Sequence, residues 1–256
     1  MLLGKSVIAR IVFCLLSMQP PQLPEKSTPP TSTPRPLSSR TTSSSDKDNE
    51  AVTTNMPSSI TDLPRILCLH GKFQSASSFG NKIGGARRKL QRVYYLHLLD
   101  APIELDDSPF GNANARSWWK RNEKTQQHTL VKEAVEYVQA QTAGQAYSAV
   151  IGFSQGGTLA TALALSGALP GLQAVVTAGA PDVPDVFDQI EVTEAGLALP
   201  KLHLAGATDE IIAVASTQRL SDRAGNGQVV VHEKGHLFPT KAAYVNQIMD
   251  FLQQHI

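Results

Sequence analysis

The sequence predicts an open, doubly wound α/β fold: a mostly parallel sheet of about six strands with helices on both faces, built from residues 62–256. Two observations predict it. From Arg65 onward, short apolar runs alternate with longer amphipathic or small-residue stretches, the pattern of βαβ units whose crossover helices cover a parallel sheet. The preceding chain is unsuited to a core. Residues 19–60 hold 24 Ser, Thr or Pro in 42 positions, half of the 16 prolines and no aromatic residue, too little apolar surface to offset the entropy of ordering them.

The elements follow in chain order. Strands are expected at Arg65–His70, Arg92–Leu99, Tyr147–Phe153, Gln173–Ala178, Lys201–Gly206 and Gln228–His232. The first helix is expected at about Ser75–Leu90. In Thr129–Thr142, Val131, Ala134, Val135 and Val138 fall at helical spacing while Glu133 and Glu136 lie off that stripe. Further helices are expected at Gln155–Ser166, Val214–Ala224 and Pro239–Gln254. Ligands of such a sheet bind beyond the carboxyl ends of its strands.

Of the 256 residues, 41% are apolar and 18% charged, and Lys plus Arg number 23 against 22 Asp plus Glu, so the clustered positive excess that binds phosphate backbones is missing and no nucleic-acid partner is expected. The two cysteines are Cys14, outside the domain, and Cys68, inside an apolar run, which excludes a disulfide framework. No stretch reaches the 18 or so consecutive apolar residues of a membrane span. Residues 1–61 are expected to be a disordered extension with a possible targeting role. Val7–Leu16 is interrupted by Arg10 and fits a signal peptide poorly, whereas residues 1–45, with five basic residues and the single acid Glu25, lean towards an organelle transit peptide. Otherwise the cytoplasm is the expected compartment.

The chemistry concentrates where strands end. Gly152-Phe153-Ser154-Gln155-Gly156 follows an apolar run and opens a small-residue helix. A sharp strand-to-helix turn brings backbones together two residues either side of its apex, so glycine is needed there and Ser154 stands exposed. A serine hydroxyl needs a base, and the base an orienting acid. Asp209 follows the strand Lys201–Gly206, and His236 follows the strand ending at His232, both at the same sheet edge. Asp182 is the alternative acid. For the oxyanion, the expected donors are the backbone N–H of Gln155, whose side chain is immaterial to that role, and of Lys72, with Phe73 the alternative. His70 is read as shaping the loop. No His-Glu-x-x-His, Cys-x-x-Cys or phosphate-cradling glycine loop implies a metal or cofactor.

The chain resembles the FSH group, the "family of serine hydrolases", of the α/β-hydrolase superfamily, which includes fungal esterases and ovarian-tumour-suppressor-candidate-2-like esterases. The resemblance covers about Leu63–Ile256. It rests on Arg65-Ile66-Leu67-Cys68-Leu69-His70-Gly71, Asp100-Ala101-Pro102-Ile103-Glu104-Leu105, Ser117-Trp118-Trp119, Gly152-Phe153-Ser154-Gln155-Gly156-Gly157 and Gly235-His236. It implies cleavage of carboxylic esters or thioesters, free or carrier-bound, through an acyl-enzyme, in a monomer or weak dimer. Lys72 departs from the group, which commonly has an aromatic or aliphatic residue there. Trp118 and Trp119 either line an acyl pocket or anchor their loop, and Phe73, Leu237, Val183 and Phe187 are expected at the same mouth. A ligand-binding module without catalysis and a peptidase or carbon–carbon hydrolase are the alternative functions. A chain beginning at Met56 is expected to keep full activity.

Overall fold

A computed structural model describes residues 63–106, 109 and 114–256. The expectations for residues 1–61 lie outside the described residues. Among the described residues the first elements are β1 (Arg65–Leu69), α1 (Ala76–Lys82), α2 (Gly84–Leu90) and β2 (Tyr95–Leu99). Two short antiparallel ribbons follow, β3 (Ile103–Glu104) with β4 (Arg116–Ser117) and β5 (Lys120–Arg121) with β6 (His128–Thr129). Next come α3 (Val131–Thr142), β7 (Ala149–Phe153), α4 (Gln155–Leu165) and β8 (Ala174–Ala178). The chain ends with α5 (Pro184–Phe187), α6 (Glu194–Ala198), β9 (Lys201–Gly206), α7 (Val214–Ala224), β10 (Gly227–His232) and α8 (Ala242–His255).

Six strands form one sheet in the order β10-β9-β8-β7-β1-β2, and every pairing in it is parallel, so the expected mostly parallel sheet is wholly so. The path through the sheet runs from β1 to β2, then crosses to β7 and moves outward to β10. The order therefore reverses between β1 and β7, and a doubly wound sheet opens its crevice at such a reversal. Helices on both faces supply two cores. Alternate side chains of β1 feed them: Ile66 and Cys68 pack with Phe79, Ile83, Ile248 and Leu252. Leu67 and Leu69 pack on the other face with Val131, Val138, Leu159 and Leu163. Each such aliphatic side chain contributes about 1.5–3 kcal/mol by leaving water. Cys68 is a core residue, and burial pushes its thiol up to about 12.

The differences from expectation are local. The helix expected over Ser75–Leu90 is two helices meeting at Ile83, where the poor helix formers Gly84 and Gly85 let the chain re-aim. The last helix starts at Ala242 instead of Pro239, behind an extended Lys241. Helices α5 and α6 were not expected. Pro184 at the start of α5 and a Thr193 cap on the Gly196 N–H of α6 allow them, but each is too short to show a period. Among the described residues no helix is long and apolar enough to cross a membrane.

Candidate active site

Ser154 sits at the apex between β7 and α4 with φ 52° and ψ −120°, a backbone conformation that side-chain-bearing residues rarely adopt. The glycines around it are sterically required. A Cβ on Gly152 would lie 2.3 Å from the Gly156 carbonyl oxygen, and one on Gly156 would lie 2.4 Å from the Leu69 carbonyl oxygen. The turn is held from below by the Ser154 N–H, which donates to the Ala178 carbonyl at 2.9 Å.

His236, in the loop after β10, reaches this serine: its Nε2 is 3.0 Å from Ser154 Oγ. Its Nδ1 is 2.8 Å from Asp209 Oδ2, in the loop after β9. A carboxylate accepts only, so Nδ1 carries the ring hydrogen and Nε2 is left to accept from the serine hydroxyl. The Asp209 carboxylate is fixed by the N–H groups of Ile211 and Ile212, which donate to Oδ1 at 2.9 and 2.8 Å. Burial pushes this carboxyl up, but the hydrogen bond and charge of His236 and the two backbone donors outweigh it, holding Asp209 below the ordinary carboxylate range. The imidazole leans on Phe153, and a Cβ on Gly179 would come within 3.1 Å of it. Gly179, with φ 56°, is thus a site residue that sequence reasoning missed; its only signal was its place just after a strand.

Asp182, the alternative acid, lies elsewhere: its carboxylate is paired with Arg223 at 2.7 Å, and its N–H donates to Ser216 Oγ. The loop after β1 abuts the serine, since a Cβ on Gly71 would be 3.2 Å from Ser154 Cβ. The Phe73 N–H donates to the Arg116 carbonyl at 2.9 Å, which removes the alternative oxyanion donor. Among the described residues the Lys72 N–H has no acceptor. Gln155 begins α4, so its N–H lacks an intrahelical acceptor. Among the described residues, then, the amides of Lys72, in the loop that abuts Ser154, and of Gln155, at the positive end of the α4 dipole, are uncommitted.

The remaining expected residues divide. Leu237 is exposed next to His236, and Phe73 is half-buried with Lys72 Nζ 4.8 Å above its ring. Trp118 and Trp119 are buried in the core, at 0% and 3% exposure, so these rings anchor their loop and have no open surface for an acyl chain. Phe187 is likewise buried, among Ala162, Leu165 and Leu220, because the short α5 turns it inward. His70 is fully buried and shapes the loop: its Nδ1–H donates to the Gly71 carbonyl at 2.8 Å, and its Nε2 accepts from the Ala101 N–H at 3.0 Å. Burial lowers its pKa, keeping the ring neutral.

The parallel sheet, its crossover helices and a serine at a strained strand-to-helix turn define the class: this is an α/β-hydrolase fold. A serine hydrolase (FSH1) family model matches residues 60–248, and the chain belongs to that family. It is similar to the Drosophila melanogaster protein "Esterase CG5412", 29% identical over 219 residues that span 77% of each chain. It is also similar to the Bos taurus "Esterase OVCA2", 28% identical over 222 residues, covering 75% of this chain and 96% of the other. Among solved structures, Arabidopsis thaliana SOBER1 superposes with a TM-score of 0.56 at 19% identity, over 75% of this chain and 98% of that one.

Proposed function

We propose that this serine hydrolase cleaves carboxylic esters or thioesters through an acyl-enzyme, with Ser154 as nucleophile, His236 as general base and acid, and Asp209 as its orienting partner. The observation that carries the reading is the unbroken hydrogen-bonded line from Asp209 through His236 to Ser154 Oγ at the strained turn. Ser154 Oγ attacks the carbonyl carbon while its proton passes to His236 Nε2, and the imidazolium is stabilised by Asp209. The carbonyl oxygen takes up the negative charge, facing the N–H groups of Gln155 and Lys72. Collapse expels the alcohol or thiol, which leaves with the proton from Nε2, and the acyl group stays on Ser154. Water then attacks the acyl-enzyme, gives a proton to Nε2 and releases the carboxylic acid as Oγ regains its hydrogen.

Relatives named as esterases support the ester reading. In this reading Leu237 and Phe73, next in sequence to His236 and Lys72, meet the apolar part of the substrate. All the parts belong to one chain, so a monomer or weak dimer suffices. Ser154→Ala should abolish p-nitrophenyl ester turnover and fluorophosphonate labelling with the melting temperature unchanged; retained turnover would overturn the mechanism. A panel of matched esters, thioesters and amides ranks the bond classes.

A further inference from the structure

Two motifs have no role in the chemistry above: Asp100-Ala101-Pro102 and Ser117-Trp118-Trp119. Both lie in one polar network around the oxyanion loop. Arg116 is stitched to that loop by its backbone, donating to the Gln74 carbonyl and accepting from the Phe73 N–H, each at 2.9 Å. Its guanidinium donates to the Ala101 carbonyl at 3.0 Å and to Glu104 at 2.7 Å. Asp100 accepts from the Ala76 N–H at 2.7 Å, where α1 begins. Trp118 Nε1–H donates to the His70 carbonyl at 2.7 Å. The same short segment is gripped from the other side by the side chain of Gln155. Its Oε1 accepts from the Trp118 N–H at 3.0 Å and its Nε2 donates to the Trp119 carbonyl at 3.2 Å, while Ser117 Oγ, 3.1 Å from Oε1, has the Trp119 carbonyl as its nearer acceptor at 2.6 Å.

We infer that the Arg116–Trp119 segment is a spacer that sets the oxyanion hole, with the Gln155 side chain as its positioning residue. The two donor amides belong to separate loops, those of Lys72 and Gln155; Gly156 packs on the Leu69 and His70 carbonyls, but among the described residues no backbone hydrogen bond ties one loop to the other. The segment does, because Arg116 bonds the first loop and Gln155 bonds the segment. The Gln155 side chain, expected to be immaterial to oxyanion donation, satisfies two backbone groups of the segment at once. The buried Trp118 fits this role, since its ring seats the segment and its indole N–H ties it to the carbonyl of His70. This inference rests on the proposed acyl transfer, because a spacer for an oxyanion hole has no purpose without a developing oxyanion.

The test uses Gln155→Met, which keeps the side-chain length and removes both bonds, in the full chain. Misplacing one donor should lower kcat for p-nitrophenyl butyrate about 10–100-fold with KM within about twofold, because donor position matters only as charge develops. The inhibition constant of an alkylboronic acid, which forms a tetrahedral adduct on Ser154, should rise by the same factor. A purely structural role would instead lower the melting temperature and the active fraction, leaving the boronate affinity of the folded fraction unchanged. If Gln155→Met does not fold, Trp118→Phe, which removes the indole bond to the His70 carbonyl, and Ser117→Ala, which removes the hydroxyl bond to the Trp119 carbonyl, decide with a smaller loss, about 3–10-fold. Unchanged kcat, or a fall in kcat without the matching boronate shift, overturns the spacer. An inactive Ser154→Ala beside a fully active Gln155→Met removes the spacer alone, whereas an active Ser154→Ala removes the acyl-enzyme reading itself.

Discussion

Asp209 spends both oxygens on fixed donors: Oδ1 on the N–H groups of Ile211 and Ile212, Oδ2 on His236. Asp209→Asn keeps the shape but can present an N–H to Nδ1, which moves the ring hydrogen to Nε2 and leaves nothing to accept the serine proton. We expect kcat to fall on the order of 10³–10⁴-fold with the fold intact, read as steady-state turnover alongside a melting curve. The choice between Asp209 and Asp182 shows where sequence stops. Both follow strands in the same run, and both read as acids at the correct edge. What separates them is that Asp182 is drawn to Arg223 on α7, a pairing between distant segments that no local pattern encodes. Ser154 was legible because its constraint is local, two glycines at fixed offsets.

At the scale of elements, β9 through α7 was read with bounds that match, because apolar runs and amphipathic stripes are dictated by burial on one or two faces. The ribbons β3–β6 were not, since two-residue pairings leave no period and Asp106–Arg121 has none. The first residue of β9 holds an unexpected duty. Lys201 is fully buried, and its Nζ donates to the carbonyls of Gly196 and Leu199 at 2.8 and 2.7 Å, closing the C-terminal end of α6. Lys201→Met should strip these carbonyls of their cation and cost about 2 kcal/mol or more of stability in denaturant melts. It should leave kcat unchanged, because Lys201 stands at the opposite end of β9 from Asp209.

For the whole molecule, buried histidines set the acid limit. His203 in β9 has Nδ1 2.8 Å from Thr177 Oγ1, while its buried Nε2 has no partner among the described residues. Burial, helped by the nearby Lys201 charge, lowers its pKa to about 4. The unfolded chain takes up a proton near the ordinary value of about 6.5 and the folded one does not, so this contribution is complete above about 6.5 and is lost as pH falls towards 4. His70, also lowered by burial, acts in the same direction. His203 alone should remove roughly 2 kcal/mol between about pH 7 and pH 5. His203→Leu should flatten the denaturant-melt pH profile over that range, and an unchanged slope would assign the acid sensitivity elsewhere.

The strand order has a consequence in time. The serine and its neighbouring amides follow β7 and β1, adjacent inner strands of the sheet, but His236, the proposed base, follows β10, the last strand in the chain and an edge of the sheet. A partly made or partly folded molecule can hold the elbow and still lack any group to draw off the hydroxyl proton. Under the proposed mechanism the enzyme is silent until its C-terminal edge has docked, so Ser154 reactivity is expected to report the completion of assembly and not merely the presence of a fold.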